Sequence, residues 1–277
     1  MTHSTLRNLA FALALAGAWS SGRSAQAALI VIDDFELPGA PSPANGGYLS
    51  PGSVPTPGNP LKTQHNGPDT SIIGGQRDVF VQQTSGNVDG DSAVVVGINP
   101  LLGQFDQNTS VDGVLYSAVQ YDGDDLEAPD GFPGNAAGLL VDLTSSGAND
   151  EFLMRFTNAQ VPVTNALSFF FEVTSPNGGY SFHLGSRPDL LTVNNIPQAV
   201  DHLIPFASFT GNADFSMVNS ITVYFNDDGD LNGSVGADFA VDLIAAVPEP
   251  SGAVLLGMAA VGLAIPSWRR RNRVVRR

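Results

Sequence analysis

The hexapeptide Asp228-Gly229-Asp230-Leu231-Asn232-Gly233 offers side-chain oxygens at its first, third and fifth positions and a glycine at its sixth. Calcium takes oxygen ligands, and a glycine there permits the sharp turn that wraps such a loop around an ion. The glutamate expected at position twelve is missing, since Phe239 stands there, and no helical pattern flanks the loop. An acidic hairpin turn is the plainer reading, with Asp228, Asp230 and Asn232 as secondary calcium candidates. Asp122, Asp124, Asp125, Glu127 and Asp130 form a second acidic stretch open to the same two readings.

Groups suited to covalent catalysis are sparse. There is no Gly-x-Ser-x-Gly elbow, His-Glu-x-x-His pair, phosphate loop or dinucleotide fingerprint. His65, His183 and His202 are isolated in sequence, and His183 falls on the outer face expected for a strand over Tyr180–Leu184. Glycoside hydrolysis needs a pair of carboxyl groups. Glu36, Glu127, Glu151 and Glu172 are scattered among 22 aspartates, and no pair is singled out. The chain therefore reads as non-catalytic, with a secreted polysaccharide hydrolase as an alternative. Sugar contact would use aromatic rings on loops or on an exposed sheet face. Phe170 interrupts the polar alternation of Ser168, Glu172 and Thr174, which marks it as an exposed ring. Tyr48, Tyr116, Tyr121, Phe132 and Tyr224 are further possibilities. Both tryptophans, Trp19 and Trp268, lie at the two ends of the chain. The body without them is better suited to a small glycan contact than to a flat polysaccharide platform.

The elements that would position these groups are strands. Period-two alternation runs through Phe152, Met154 and Phe156, through Leu167, Phe169, Phe171 and Val173, and through Ile221, Val223 and Phe225. Shorter β-rich runs fall at 29–35, 78–82, 93–98, 114–121, 138–143 and 239–244, punctuated by Gly, Asn, Asp and Pro. Residues 28–246 fit one all-β domain, an antiparallel β-sandwich of jelly-roll type. The stretch from Pro38 to Pro68, with eight prolines and six glycines, is expected as a long loop.

Charge narrows the partners. Between residues 28 and 250 four cationic side chains (Lys62, Arg77, Arg155, Arg187) face all 27 acidic ones, a formal charge of −23. Nucleic acid and anionic membrane are poor partners for such a body. The absence of cysteine excludes disulfides, so stability outside a cell would come from the core and from bound ions.

The chain ends carry addresses. Arg7, the apolar run Leu9–Trp19 and Ala25-Gln26-Ala27 compose a signal peptide over residues 1–27. At the other end, Val247-Pro248-Glu249-Pro250 leads into an apolar stretch, Ser251–Trp268, and then into Arg269, Arg270, Arg271, Arg273, Arg276 and Arg277. Eighteen helical residues reach roughly 27 Å, enough for a thin hydrocarbon core, and the arginines would hold the C-terminus in the cytoplasm. From the residues alone this is a C-terminal membrane anchor or a sorting tail. The order of signal, span and basic cluster over 247–277 resembles the PEP-CTERM family of bacterial surface proteins. That resemblance implies that Pro248, Glu249 and Pro250 are read by an exosortase, with Arg269–Arg271 as part of the same signal. It implies that the hydrophobic helix is a transient membrane segment, and that the product passes to the cell envelope, surface or extracellular matrix.

A second resemblance concerns the body, which opens Ile32-Asp33-Asp34-Phe35-Glu36 and closes Gly236-Ala237-Asp238-Phe239-Ala240-Val241-Asp242. It is similar to galactose-binding-like jelly rolls, which include many carbohydrate-binding modules and in which the first and last strands run near each other. Carried over, Asp33, Asp34, Glu36, Asp238 and Asp242 are calcium candidates, and Asp238 and Asp242 share one face of a regular strand. Gly74-Gly75-Gln76-Arg77-Asp78 resembles a segment of related exported proteins and brings no assigned chemistry. The expectation is a structural or adhesive protein of the cell exterior, with extracellular polysaccharide and calcium as partners; the alternative is a dedicated carbohydrate-binding protein.

Overall fold

The structure, a computed structural model, describes residues 29–35, 48–49, 61–65, 71–85, 93–96, 103–109, 114–123, 138–160, 167–187, 192–193, 196–197, 199–226 and 236–248. Strands dominate it, and no α-helix occurs among the described residues. The first seven strands are β1 (Ile30–Asp33), β2 (Tyr48–Leu49), β3 (Leu61–His65), β4 (Arg77–Ser85), β5 (Ala93–Val96), β6 (Phe105–Asn108) and β7 (Val114–Tyr121). Then come β8 (Glu151–Gln160), β9 (Leu167–Ser175), β10 (Gly179–Arg187), β11 (Thr192–Val193) and β12 (Ile196–Pro197). The last four are β13 (Val200–Pro205), β14 (Thr210–Gly211), β15 (Ser220–Phe225) and β16 (Asp238–Val247).

Two seven-stranded sheets result. Sheet I has the order β13-β8-β16-β6-β5-β2, with β1 also paired to β16, and sheet II the order β14-β10-β9-β15-β7-β4-β3. Every strand pair is antiparallel. The chain passes repeatedly from one sheet to the other, the connectivity of a Greek-key or jelly-roll sandwich. The expected sandwich is what forms, and the first and last strands are neighbours, with Ile30 opposite Ala246.

The sheets bury their alternate residues against each other. Phe152 of β8 and Phe171 of β9 bring ring centroids to 4.4 Å across the gap, and Phe105 and Phe239 of sheet I meet Phe225 of sheet II at 5.2 and 5.0 Å. Fully burying a phenylalanine stabilises by about 1.5–3 kcal/mol, so these rings are the principal cohesive force between the layers. Strand β9 alternates as its sequence requires, with Leu167, Phe169, Phe171 and Val173 fully buried.

Several elements depart from the sequence reading. Residues 138–143 form no strand; an isolated bridge joins Val141 to Val218, because Leu140 takes a left-handed φ of 51° that breaks the pleat. The stretch 38–68 contains β2 and β3. The expected signal peptide and C-terminal hydrophobic helix lie outside the described residues, and no helix among the described residues is long and apolar enough to cross a membrane.

Candidate functional site

Two polar clasps tie the sheets together from inside. At one, Asp33 of β1 accepts from Arg77 Nη1 at 2.6 Å, from the Tyr121 hydroxyl at 2.9 Å and from the Phe35 amide at 2.7 Å. All of these groups are buried, and Arg77 also stands 5.4 Å from the Phe35 ring centroid. Gly74 and Gly75, with φ of 73° and 79°, make the turn that delivers Arg77. A side chain at Gly74 would come within 2.4 Å of Leu139 Cδ2. Burial pushes the Asp33 carboxyl up from its ordinary range, against the pull of Arg77, and pushes the Tyr121 hydroxyl well up too. At the other clasp, Gln107 Nε2 donates to the Leu115 carbonyl at 3.0 Å while its Oε1 accepts from Ser117 at 2.6 Å.

This accounts for Asp33 differently from the sequence reading. Its Oδ2 is taken by Arg77 and Tyr121 and its Oδ1 by the Phe35 amide, and the structure does not bring it together with Asp238 and Asp242. Asp33 pairs opposite Ile244, six residues along β16 from Asp238. Asp238 accepts from the Thr109 amide at 2.7 Å and lies beside Asp106. Asp242 lies beside Arg155 and Asp201, and two register irregularities separate it from Asp238. Asp34 follows Asp33 and is half-buried. Among the described residues no three acidic or histidine side chains are grouped to hold a metal ion. Glu36, Asp228, Asp230 and Asn232 fall outside the described residues. So do Glu249, Pro250, Arg269, Arg270 and Arg271 of the sorting signal, while Pro248 directly follows β16.

His183 also differs from expectation. Register places it opposite Phe171, so it points inward, 5.5 Å from the Phe209 ring, while His202 packs edge-on against Phe169 at 5.2 Å. Ser208 Oγ lies 2.6 Å from the Pro205 carbonyl and 3.0 Å from His183 Nδ1, and the histidine tautomer decides which group donates across the second contact.

With His183 inward, the opposite parity of β10 faces out, and it is aromatic. Tyr180, Phe182 and Leu184 lie opposite Thr174, Glu172 and Phe170. The rings continue across three strands: Tyr180 to Phe182 at 6.0 Å, Phe182 to Phe170 at 5.5 Å, and Phe170 to Tyr224 of β15 at 5.8 Å. Interplanar angles of 34–48° give these contacts the tilted geometry aromatic pairs favour. Glu172 sits among them and accepts from the Tyr180 hydroxyl at 2.6 Å. Burial and Glu172 push the Tyr180 hydroxyl above its ordinary range, so it remains a donor.

The row opens to solvent at one side and closes at the other. Tyr180 is 40% and Leu184 51% exposed; Phe182, Phe170 and Tyr224 are half-buried. Thr222 and Gln120, in register with Glu172, are 2% and 3% exposed. An outward aromatic row interrupted by a carboxylate can stack on the apolar face of a ring and accept hydrogen bonds from hydroxyls at its rim.

Phe170 and Tyr224 face outward as the sequence suggests, though both are half-buried, whereas Tyr121 belongs to the core clasp. Tyr180 and Phe182 were missed because alternation assigns a strand's aromatics inward, and on β10 the inward positions are Ser181, His183 and Gly185. Gly185 is required there: a Cβ would meet the Phe169 ring at 2.0 Å.

No protein-family model matches this sequence, and no curated protein matches it. Solved structures similar to it include PfGH50B, at 11% identity and a TM-score of 0.31 over 62% of this chain and 22% of that one. An exo-beta-agarase is similar at 12% identity and a TM-score of 0.35, over 80% of this chain and 25% of that one. The chain thus spans a quarter or less of the length of either, and likeness at these scores carries no argument about activity.

Proposed function

We propose that this chain is a non-catalytic adhesive protein of the bacterial cell exterior that holds polysaccharide on the outer face of sheet II. The observation that carries the reading is the row Tyr180–Phe182–Phe170–Tyr224 with Glu172 among its rings. Contiguous apolar surface left on the outside of a sandwich is typical of an interaction site. The leader-like N-terminus and the tail that resembles PEP-CTERM signals support export and handling by an exosortase. Calcium belongs to the same proposal as a stabilising ion of the acidic body.

Affinity electrophoresis through gels containing dextran, hydroxyethylcellulose or galactan tests the role. The expected result is retardation by at least one of them, weakened about tenfold in Phe170→Ala and Tyr224→Ala, a loss of about 1.4 kcal/mol. Unchanged melting of both variants would show that the fold is intact. Migration unaffected by every glycan would reject the binding role. Release of reducing ends from a retained glycan would reject the non-catalytic part.

A further inference from the structure

The structure assigns Glu172 as a selectivity residue: we infer that the face takes neutral glycans and turns away uronate- or sulfate-bearing ones. The inference rests on the proposed glycan-binding role and adds the ligand's charge class. Glu172 is half-buried on the outer face, with Phe170, Phe182 and Tyr180 around it. Its carboxylate accepts from the neutral hydroxyl of Tyr180. That bond fixes the carboxylate among the rings without cancelling its charge.

No cation compensates it among the described side chains. Arg77 points into the core and is paired with Asp33, and Arg155 pairs with Asp201 on sheet I. Lys62 of β3 shares a cross-strand row with Phe80, Ala118 and Tyr224. Its backbone therefore stands three strands from Tyr224 and four from the strand of Glu172, roughly 14 Å and 19 Å at ordinary strand spacing. Asp78, in register with Gln120, adds a second carboxylate to the Glu172 row.

A hydroxyl-rich neutral ring placed on Phe170 and Phe182 donates to Glu172. An anionic ring in the same place sets like charges together where the half-buried surroundings screen them poorly. Charge placed against an unwanted ligand is a recognised route to specificity.

The test compares matched glycans with the full-length chain in a sugar-free detergent: dextran against dextran sulfate, and hydroxyethylcellulose against carboxymethylcellulose. The wild type is expected to bind the neutral member of at least one pair at least tenfold more tightly, with the ratio shrinking as salt rises. Glu172→Gln keeps an acceptor for Tyr180 and removes the charge, so it is expected to lower that ratio at least fivefold while melting as the wild type does. Equal binding of neutral and anionic members, or a ratio unmoved by Glu172→Gln, overturns the selectivity and leaves the glycan-binding role standing. Absence of binding to either neutral glycan overturns both.

Discussion

An enclosed guanidinium is costly unless its partners are in place, and Arg77 is the largest fully buried side chain described. Its Nη1 is met by Asp33, while its Nε has no hydrogen-bond partner among the described residues. The pair therefore organises more than it stabilises. Arg77 is on β4 of sheet II and Asp33 on β1 of sheet I, so their bond fixes how the first strand docks. Removing one partner of a buried pair leaves an uncompensated charge and costs about 3–5 kcal/mol. Arg77→Met is expected to lose that much in urea denaturation. Adding Asp33→Asn should restore a good part of it, because the amide oxygen still accepts from the Phe35 amide, the side-chain NH2 can donate to the Tyr121 hydroxyl, and no buried charge remains. A loss below about 1 kcal/mol in the single variant would show that the clasp is incidental. The Gly74–Asp78 segment shows no chemistry in its sequence; in the structure it turns Arg77 into the core.

Sheet elements show where alternation is a sufficient guide. Strands β8, β9 and β15 were legible because hydrophobic side chains of one parity face the other sheet and polar ones face out. Alternation misleads on β10, where the aromatic parity faces out and Ser181 and His183 are turned inward. It also misleads on β16, where irregularities around Val241 and Asp242 shift the register, so that Phe239 and Val241 and then Ile244 and Ala246 face the core. A local bulge of this kind leaves no mark on hydrophobic spacing. On the outer surface, β16 and β6 set Asp238 beside Asp106, and burial pushes both carboxyls up, with Asp238 adding to the rise at Asp106. A carboxyl raised on folding binds its proton more tightly in the native state, so stability is greatest below the unfolded value of 3.8 and is lost as pH rises through the folded value. Asp106→Asn is accordingly expected to stabilise at neutral pH by roughly 0.2–1 kcal/mol, the range for cross-strand pairs. The gain should vanish towards pH 3.5, as read by paired thermal melts. A variant that melts lower than the wild type at pH 7 would contradict the repulsion.

At the scale of the whole molecule, the −23 formal charge of residues 28–250 is a self-repulsive burden on a compact state. Two of its four cations, Arg77 and Arg155, are already held in ion pairs. An ion that binds only the folded form stabilises it by about 2.7 kcal/mol at a hundredfold excess over its Kd. For a body of this size that is a shift of roughly 5–10 °C. Calcium at millimolar concentration is therefore expected to raise the melting temperature by that amount over an equal ionic strength of sodium chloride, and chelator should reverse it. Because Asp33 is committed to Arg77, Asp33→Asn should lower the baseline melt and leave the calcium increment intact. The increment should instead diminish in Asp228→Ala/Asp230→Ala or in Asp238→Ala/Asp242→Ala, and whichever pair abolishes it marks the ion's position. A melt indifferent to calcium, or one that sodium chloride shifts equally, would show that the acidic surface acts through its net charge alone, keeping the body soluble and apart from anionic polymers.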